Sequence, residues 1–260
     1  PSKLVIKMNI SIIGAGNMAY QLAHALLSLP QVTITQLYSR SSFSAEFSHL
    51  QIEKITNLSQ LRPADLCILA VKDDAIASVS AALPFKNQLV VHTSGNTDML
   101  SISSQNRRGV LYPLQTMSKQ TLVNFSQVPF CLEAENPTDY QLLHHLASLL
   151  STQIYPLSSY QRKILHVAAV FLNNFTNHLV HISQQICQKE QVPFKILEPL
   201  LTETFAKLQK IPAYEAQTGP ARRNDTATIA SHLSLLNETE KEIYQIITNS
   251  IINTYGRKEL

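Results

Sequence analysis

The sequence predicts an α/β fold: a doubly wound, mostly parallel sheet followed by an all-α domain. Three observations carry this. Up to about residue 156, short apolar runs alternate with helix-periodic segments over short connections, the pattern of chained β-α-β units. The run Asp65–Val71 is continuously apolar rather than alternating, as expected of a strand covered on both faces. Beyond Ser159 no strand pattern recurs. The boundary is placed at Pro156, giving domains 1–156 and 157–260.

The elements follow in order. Met8–Gly14 is a strand entering a glycine turn. Asn17–Leu29 has Met18, Leu22, Ala25, Leu26 and Leu29 at helical spacing, with Pro30 just beyond. Val32–Tyr38 is the second strand and Asp65–Val71 the next. Asp73–Ala82 is a helix with an acidic first turn. Gln88–His92, Gly109–Tyr112, Phe130–Ala134 and Gln153–Tyr155 are strands, with a weak helix at Asp98–Gln105 and a strongly periodic one at Thr138–Leu150. In the second domain Tyr160–Glu190 reads as one long helix, apolar nearly all round from Ile164 to Phe171 and therefore expected to be buried on several sides. Helices at Phe194–Leu208, Thr226–Leu236 and Glu238–Tyr255 follow, the last opening at an Asn237-x-x-Glu240 cap and closing at Gly256.

Composition narrows the function. Of 260 residues 45% are apolar and only 15% charged, against a usual ~25% charged, so the chain has material for a core and an uncharged polar surface. A net charge of +3, scattered along the chain, does not point to nucleic acid. Cys67, Cys131 and Cys187 are widely spaced, which supports neither a disulfide framework nor a zinc knuckle. No HxxxH, HExxH or His/Cys cluster occurs, so no catalytic metal is expected. No apolar run approaches the ~20 residues of a membrane span, and Pro1–Asn9 lacks the apolar stretch of a signal peptide. A soluble, cytoplasmic protein is expected.

The strongest motif is Gly14-Ala15-Gly16-Asn17-Met18-Ala19, a G-x-G-x-x-A fingerprint between a strand and a helix. Gly14 permits the turn, Gly16 lets backbone approach a diphosphate, and Ala19 keeps helix and strand close. The amides of Gly16, Asn17 and Met18 would face the phosphates at the positive end of the helix dipole. This marks the first domain as Rossmann-type. Between Gly14 and Ala45 no Asp or Glu occurs, whereas an NAD site places an acid at the end of the second strand. That strand ends instead in Tyr38-Ser39-Arg40-Ser41-Ser42, whose guanidinium and hydroxyls suit a 2′-phosphate. NADP(H) is therefore expected over NAD(H).

Further blocks stand at strand ends: Ala70-Val71-Lys72-Asp73-Asp74, His92-Thr93-Ser94-Gly95 and Tyr112-Pro113-Leu114-Gln115-Thr116. In the helical domain His166-Val167-Ala168-Ala169-Val170-Phe171 leads to Asn174, and Thr218-Gly219-Pro220-Ala221-Arg222-Arg223-Asn224-Asp225 precedes His232-Leu233. With these blocks the whole chain resembles the Rossmann-like NADP oxidoreductases whose second domain is helical and functionally uncharacterised, distant relatives of pyrroline-5-carboxylate reductase and the 6-phosphogluconate dehydrogenase-like group. The resemblance implies a reductase-like homodimer built through the C-terminal helices, but no substrate. Many relatives carry His where this chain has Tyr112, and Gly where it has Asn224.

Ligands in open α/β sheets lie beyond the carboxyl ends of the strands. A nicotinamide would lie near His92-Thr93 and Tyr112, with its ribose near Val71-Lys72. Thr93 or Ser94 equally fits a helix-capping turn, and both roles can hold together. His166 and Asn174 fall on one face of the long helix if its period is unbroken. The expected activity is hydride transfer between NADP(H) and a small carbonyl or imine substrate in an interdomain cleft. His166, Tyr112 or Ser94 would donate the proton, and Asn174 and Arg223 would position substrate. The alternatives are an NADP(H)-sensing dimer without turnover, or a deazaflavin-linked NADP reductase.

Overall fold

The computed structural model describes residues 7–256, so the reading of the first six residues lies outside it. Two compact units divide at Val170 and Phe171. The first thus runs past Pro156 to include one further helix.

In the first unit the order is β1 (Met8–Ile13), α1 (Asn17–Leu27), β2 (Val32–Tyr38), β3 (Glu53–Ile55), β4 (Leu66–Leu69), α2 (Ile76–Ala81), β5 (Leu89–His92), β6 (Arg107–Pro113), β7 (Phe130–Ala134), α3 (Pro137–Ser148), β8 (Ile154–Pro156) and α4 (Ser159–Ala169). The eight strands form one sheet in the order β3-β2-β1-β4-β5-β6-β7-β8. Through β6 this is the 3-2-1-4-5-6 order of a dinucleotide fold, with its switch point between β1 and β4. All pairings among those strands are parallel; β7 runs antiparallel to β6, and β8 parallel to β7.

Side-chain alternation divides the core between the two faces. Ile10, Ile12, Leu66, Ile68, Leu89 and Val91 join one apolar cluster with Leu22 and Leu26 of α1. Ile13, Cys67, Leu69 and Val90 join another with Ile76 and Leu83. Burial of each such aliphatic side chain stabilises by about 1.5–3 kcal/mol. The continuously apolar β4 is buried at all its positions because both faces are covered.

Two predicted helices are shorter than expected. Residues 98–105 hold only a 3₁₀ turn, Met99–Ser101, where the Asp98 carboxylate accepts the Leu100 amide at 2.8 Å and competes with helix propagation. The segment predicted as one helix over Tyr160–Glu190 is interrupted by a π turn at Val170–Phe175 before α5 (Thr176–Lys189) begins. The Thr176 hydroxyl donates to the Phe171 carbonyl, five residues back.

The second unit continues with α6 (Glu198–Leu208), α7 (Ala213–Ala216), α8 (Thr226–Leu235) and α9 (Glu238–Tyr255), the last with the predicted Asn237/Glu240 capping box. Few of its apolar residues are buried within one chain. From Phe171 to Gly256 only Cys187, Ala221 and Thr248 are buried, and Leu172 is 71% exposed. The all-round apolar character of the long segment thus meets solvent in the single chain.

Candidate active site

The carboxyl ends of β1, β2 and β4 surround a cleft of about 800 Å³, lined by Gly14–Gly16, Tyr38–Ser41 and Ala70–Lys72 among others. Gly14 adopts φ 130°, and a Cβ there would lie 2.2 Å from the Ala70 carbonyl oxygen, so the turn admits only glycine. Gly16 differs: a Cβ there would meet nothing within 4 Å, because it would project into the open cradle. Gly16 is also the N-cap of α1, which has no side-chain cap and no acid in its first turn. Its leading amides are available to an anion, in the field of the helix dipole. Arg40 and Lys72 are exposed at the cleft, while Ser39 is buried. These residues fit a dinucleotide diphosphate and its 2′-phosphate.

Asn17 and Met18 contribute through the backbone only. The Asn17 side-chain amide donates to the Met117 carbonyl at 2.9 Å, and Met18 packs against the core.

At the ends of β5 and β6 a second group assembles. The Tyr112 hydroxyl and His166 Nδ1 lie 3.2 Å apart, with the rings edge-to-face. Tyr112 is buried and His166 half-buried. Burial pushes the Tyr112 phenol up to about 12, and the neighbouring Cys131 adds to this, while the Arg162 charge opposes it. Tyr112 therefore stays a protonated phenol at neutral pH. Gly95 lies against both rings: a Cβ there would fall 2.6 Å from His166 Nδ1 and 2.8 Å from the Tyr112 oxygen. The sequence marked Tyr112, His166 and Gly95 separately; the fold brings them together.

Other predicted residues are placed differently. His92 is fully buried, and burial, reinforced by the Arg162 charge, lowers its pKa to about 4. Its Nδ1 accepts the Ser94 amide at 3.1 Å, which shapes the turn. Thr93 is buried too, its hydroxyl 3.5 Å from the Leu69 carbonyl. The Ser94 hydroxyl accepts the amides of Asn96 and Thr97 at 3.1 and 2.9 Å and donates to the Thr97 hydroxyl. Its hydrogen bonds are thus made within its own loop. Asn174 is exposed in the π turn, and the 3.6-residue period that set it on the face of His166 does not run through that turn. In the second unit Arg223 is exposed and Asp225 caps α8 through the Thr228 amide at 3.1 Å. Asn224 takes φ 52°, the left-handed conformation that Asn tolerates in place of Gly.

Sequence reasoning missed Arg162 and Glu133. Arg162 is only 1% exposed, and its guanidinium bonds Glu133 at 2.6 Å. An Arg one helical turn before His166 was visible, but nothing in the sequence announced its partner on a distant strand. Among the described residues no group of three or more metal-ligating side chains occurs, and no helix is long and apolar enough to cross a membrane.

Comparison with known proteins agrees with this geometry. A family model described as NADP oxidoreductase, coenzyme F420-dependent, matches residues 9–96, and a domain of unknown function, DUF2520, matches residues 128–251. No curated protein matches the chain. Among solved structures, a protein from Bacteroides fragilis provisionally named NADP oxidoreductase BF3122 is 36% identical, with a TM-score of 0.86 over 96% of this chain and 99% of that one. An imine reductase from Myxococcus stipitatus in complex with NADP+ is 14% identical, with a TM-score of 0.67 over 96% of this chain and 95% of that one. A pyrroline-5-carboxylate reductase from Coxiella burnetii is 16% identical, with a TM-score of 0.56 over 96% and 98% of the two chains. The last two share the fold; the first, by its identity and coverage, shows that the chain belongs to this family of NADP-dependent oxidoreductases.

Proposed function

We propose that the protein reduces a small carbonyl or imine compound with NADPH, and that Tyr112 and His166 supply the proton. The observation that carries this reading is the Tyr112–His166 contact across Gly95, at the carboxyl ends of the strands beyond the switch point. Bound NADPH supplies a hydride to the substrate's electrophilic carbon. The phenol of Tyr112, held protonated by burial, donates to the oxygen or nitrogen that gains the electron pair. His166 Nδ1 lies within hydrogen-bond range of that oxygen to return the proton. Ser39 and Arg40 hold the 2′-phosphate, and the amides of Gly16, Asn17 and Met18 the diphosphate. Asn174 and Arg223 remain candidates for holding substrate.

The test is NADPH absorbance decay over a panel of cyclic imines, imino acids, aldehydes, ketones and a deazaflavin acceptor. Turnover of an imine or carbonyl that falls about 10²–10⁴-fold in Tyr112→Phe and His166→Gln is expected. Turnover only with deazaflavin would replace the substrate class. Tight NADPH binding without turnover on any member would make the protein a sensor.

We also propose that it works as a homodimer through the helical unit. A helical segment with three buried residues has no core of its own, and Phe171, Leu172, Ile196, Leu200 and Ile246 are all exposed in the single chain. Exposed apolar surface on that scale marks an association face. Sedimentation showing a monomer at micromolar concentration would overturn this. The three cysteines are free and buried, in keeping with a reducing, cytoplasmic setting.

A further inference from the structure

We infer that the ion pair of buried Arg162 with half-buried Glu133 is the positioning device of the Tyr112–His166 pair, locking the loop that carries Gly95 and the helix that carries His166 into a single unit. The inference rests on the proton-donor reading above.

Arg162 is only 1% exposed, so it cannot touch substrate or cofactor. Its donors are distributed among three separate parts of the chain. Nε donates to the Ser94 carbonyl at 3.1 Å and Nη2 to the Thr97 carbonyl at 2.5 Å, on either side of Gly95 and Asn96. Nη1 donates to Glu133 on β7 at 2.6 Å, and Nη2 also reaches the Ser159 hydroxyl at 3.2 Å. The planar fork makes these bonds in fixed relative directions, which a flexible ammonium cannot reproduce.

Glu133 completes the arrangement from the other side. Its carboxylate accepts the Ser159 amide at 3.0 Å and the Ser159 hydroxyl at 2.7 Å, holding the first turn of α4 to the sheet. The Ser159 hydroxyl accepts the Met99 amide at 2.9 Å, tying the same turn to the middle of the β5–β6 loop. The network thus grips that loop at Ser94, Thr97 and Met99, and grips α4 at Ser159 and Arg162. His166 lies four residues beyond Arg162 on the same helical face and meets Tyr112 there. With loop and helix both fixed, Gly95 is pressed against the two rings at a distance that leaves no room for a side chain. A charge drawn out of water survives only where its polar atoms find partners; here all three guanidinium nitrogens and both Glu133 oxygens have one.

The test reads His166 directly, by side-chain NMR of the full-length protein labelled at histidine, with the His166 signal assigned through His166→Gln. The variants are Arg162→Lys, which keeps the charge and removes the fork, and Ser159→Ala, a milder cut in the same network. Tyr112→Phe keeps the ring and defines the signature of a lost hydroxyl–imidazole hydrogen bond. NADP+ binding, measured alongside, monitors a cleft the network does not touch. The expected result is that Arg162→Lys moves the His166 ring shifts towards those of Tyr112→Phe. The other histidine signals hold, and NADP+ affinity stays within about threefold. Ser159→Ala moves His166 in the same direction and serves alone if Arg162→Lys does not fold. If Tyr112→Phe moves His166 but the network variants leave it at the wild-type position, the inference fails and the proton-donor reading stands. If Tyr112→Phe itself leaves His166 unmoved, the hydroxyl–imidazole hydrogen bond is absent in solution and both fall.

Discussion

Gly14 and Gly16 stand two residues apart in the same loop, yet replacing each by alanine should have opposite consequences. At Gly14 the new methyl would sit 2.2 Å from the Ala70 carbonyl oxygen, at a φ of 130° that alanine rarely adopts. Neither backbone can yield easily, because the Gly14 amide donates to the Tyr38 carbonyl at 2.7 Å and the Ala70 amide to the Ile13 carbonyl at 2.8 Å. Gly14→Ala should therefore destabilise the fold by about 1–3 kcal/mol or more. At Gly16, φ is −82° and ψ −172°, ordinary for alanine, and no atom lies within 4 Å of the new carbon. Reduced freedom of the unfolded chain favours this variant by about 0.4–1 kcal/mol, and loss of a good N-cap residue opposes it by a similar amount. Gly16→Ala should melt within a few degrees of wild type. Its methyl nonetheless stands where the diphosphate must approach. Loss of one charge-assisted hydrogen bond costs about 1.5–3 kcal/mol, which is roughly 10–150-fold in Kd. Calorimetric titration with NADP+ and a thermal melt of each variant decide the matter. A Gly16→Ala protein that binds NADP+ like wild type would refute the placement of the diphosphate.

Arg40→Ala should weaken NADPH roughly tenfold or more and leave NADH unchanged, because only the former offers a 2′-phosphate to the guanidinium; paired titrations show the difference. Gly95→Ala would bring a methyl within 3 Å of the Tyr112 and His166 rings, so they must separate by about 1 Å to regain van der Waals contact; turnover should drop on the order of a hundredfold while NADP+ affinity holds. His92 is buried neutral with its pKa lowered from 6.5 to about 4. The unfolded chain binds the extra proton in that window. Stability is therefore fully present above pH 6.5 and is lost as pH falls toward 4, by about 3 kcal/mol in all. Denaturant melts across that range should show a shallower decline in His92→Gln than in wild type.

The parts of the fold legible in the sequence are those governed by local rules. The glycine fingerprint, the continuous apolar run of β4 and the Asn237–Glu240 cap each follow from a few adjacent residues. The three-residue strand β3 (Glu53–Ile55) escaped because it is too short and too polar to show a period. The π turn escaped because no proline or glycine marks it, and only the backbone shows the change of pitch. Arg162 and Glu133 escaped for a different reason. They are 29 residues apart and become partners only through the sheet pairing and the packing of α4. Tyr112 and His166, separated by 54 residues, were each visible, one in a block at a strand end and the other as a polar group on an apolar helix, but their contact was not.

The antiparallel β7 is what makes that contact possible. Tyr112 pairs with Cys131 and Val110 with Glu133, so Glu133 lies below the rim of the sheet where Tyr112 ends β6. β8, parallel to β7, returns the chain to that lower level at Pro156. Glu133 then anchors Ser159 and starts α4 there. From Ser159 to His166 the helix rises roughly 10 Å. From Val110 to Tyr112 the strand advances roughly 7 Å in the same direction. The helix therefore climbs alongside β6, with Leu165 packed on Val110, Tyr112 and Cys131, and delivers His166 at the level of the phenol. A parallel β7 would reverse the order of its side chains relative to β6. It would place the acid opposite a different level of that strand, and the first turn of α4 would be anchored away from the one place from which His166 reaches Tyr112.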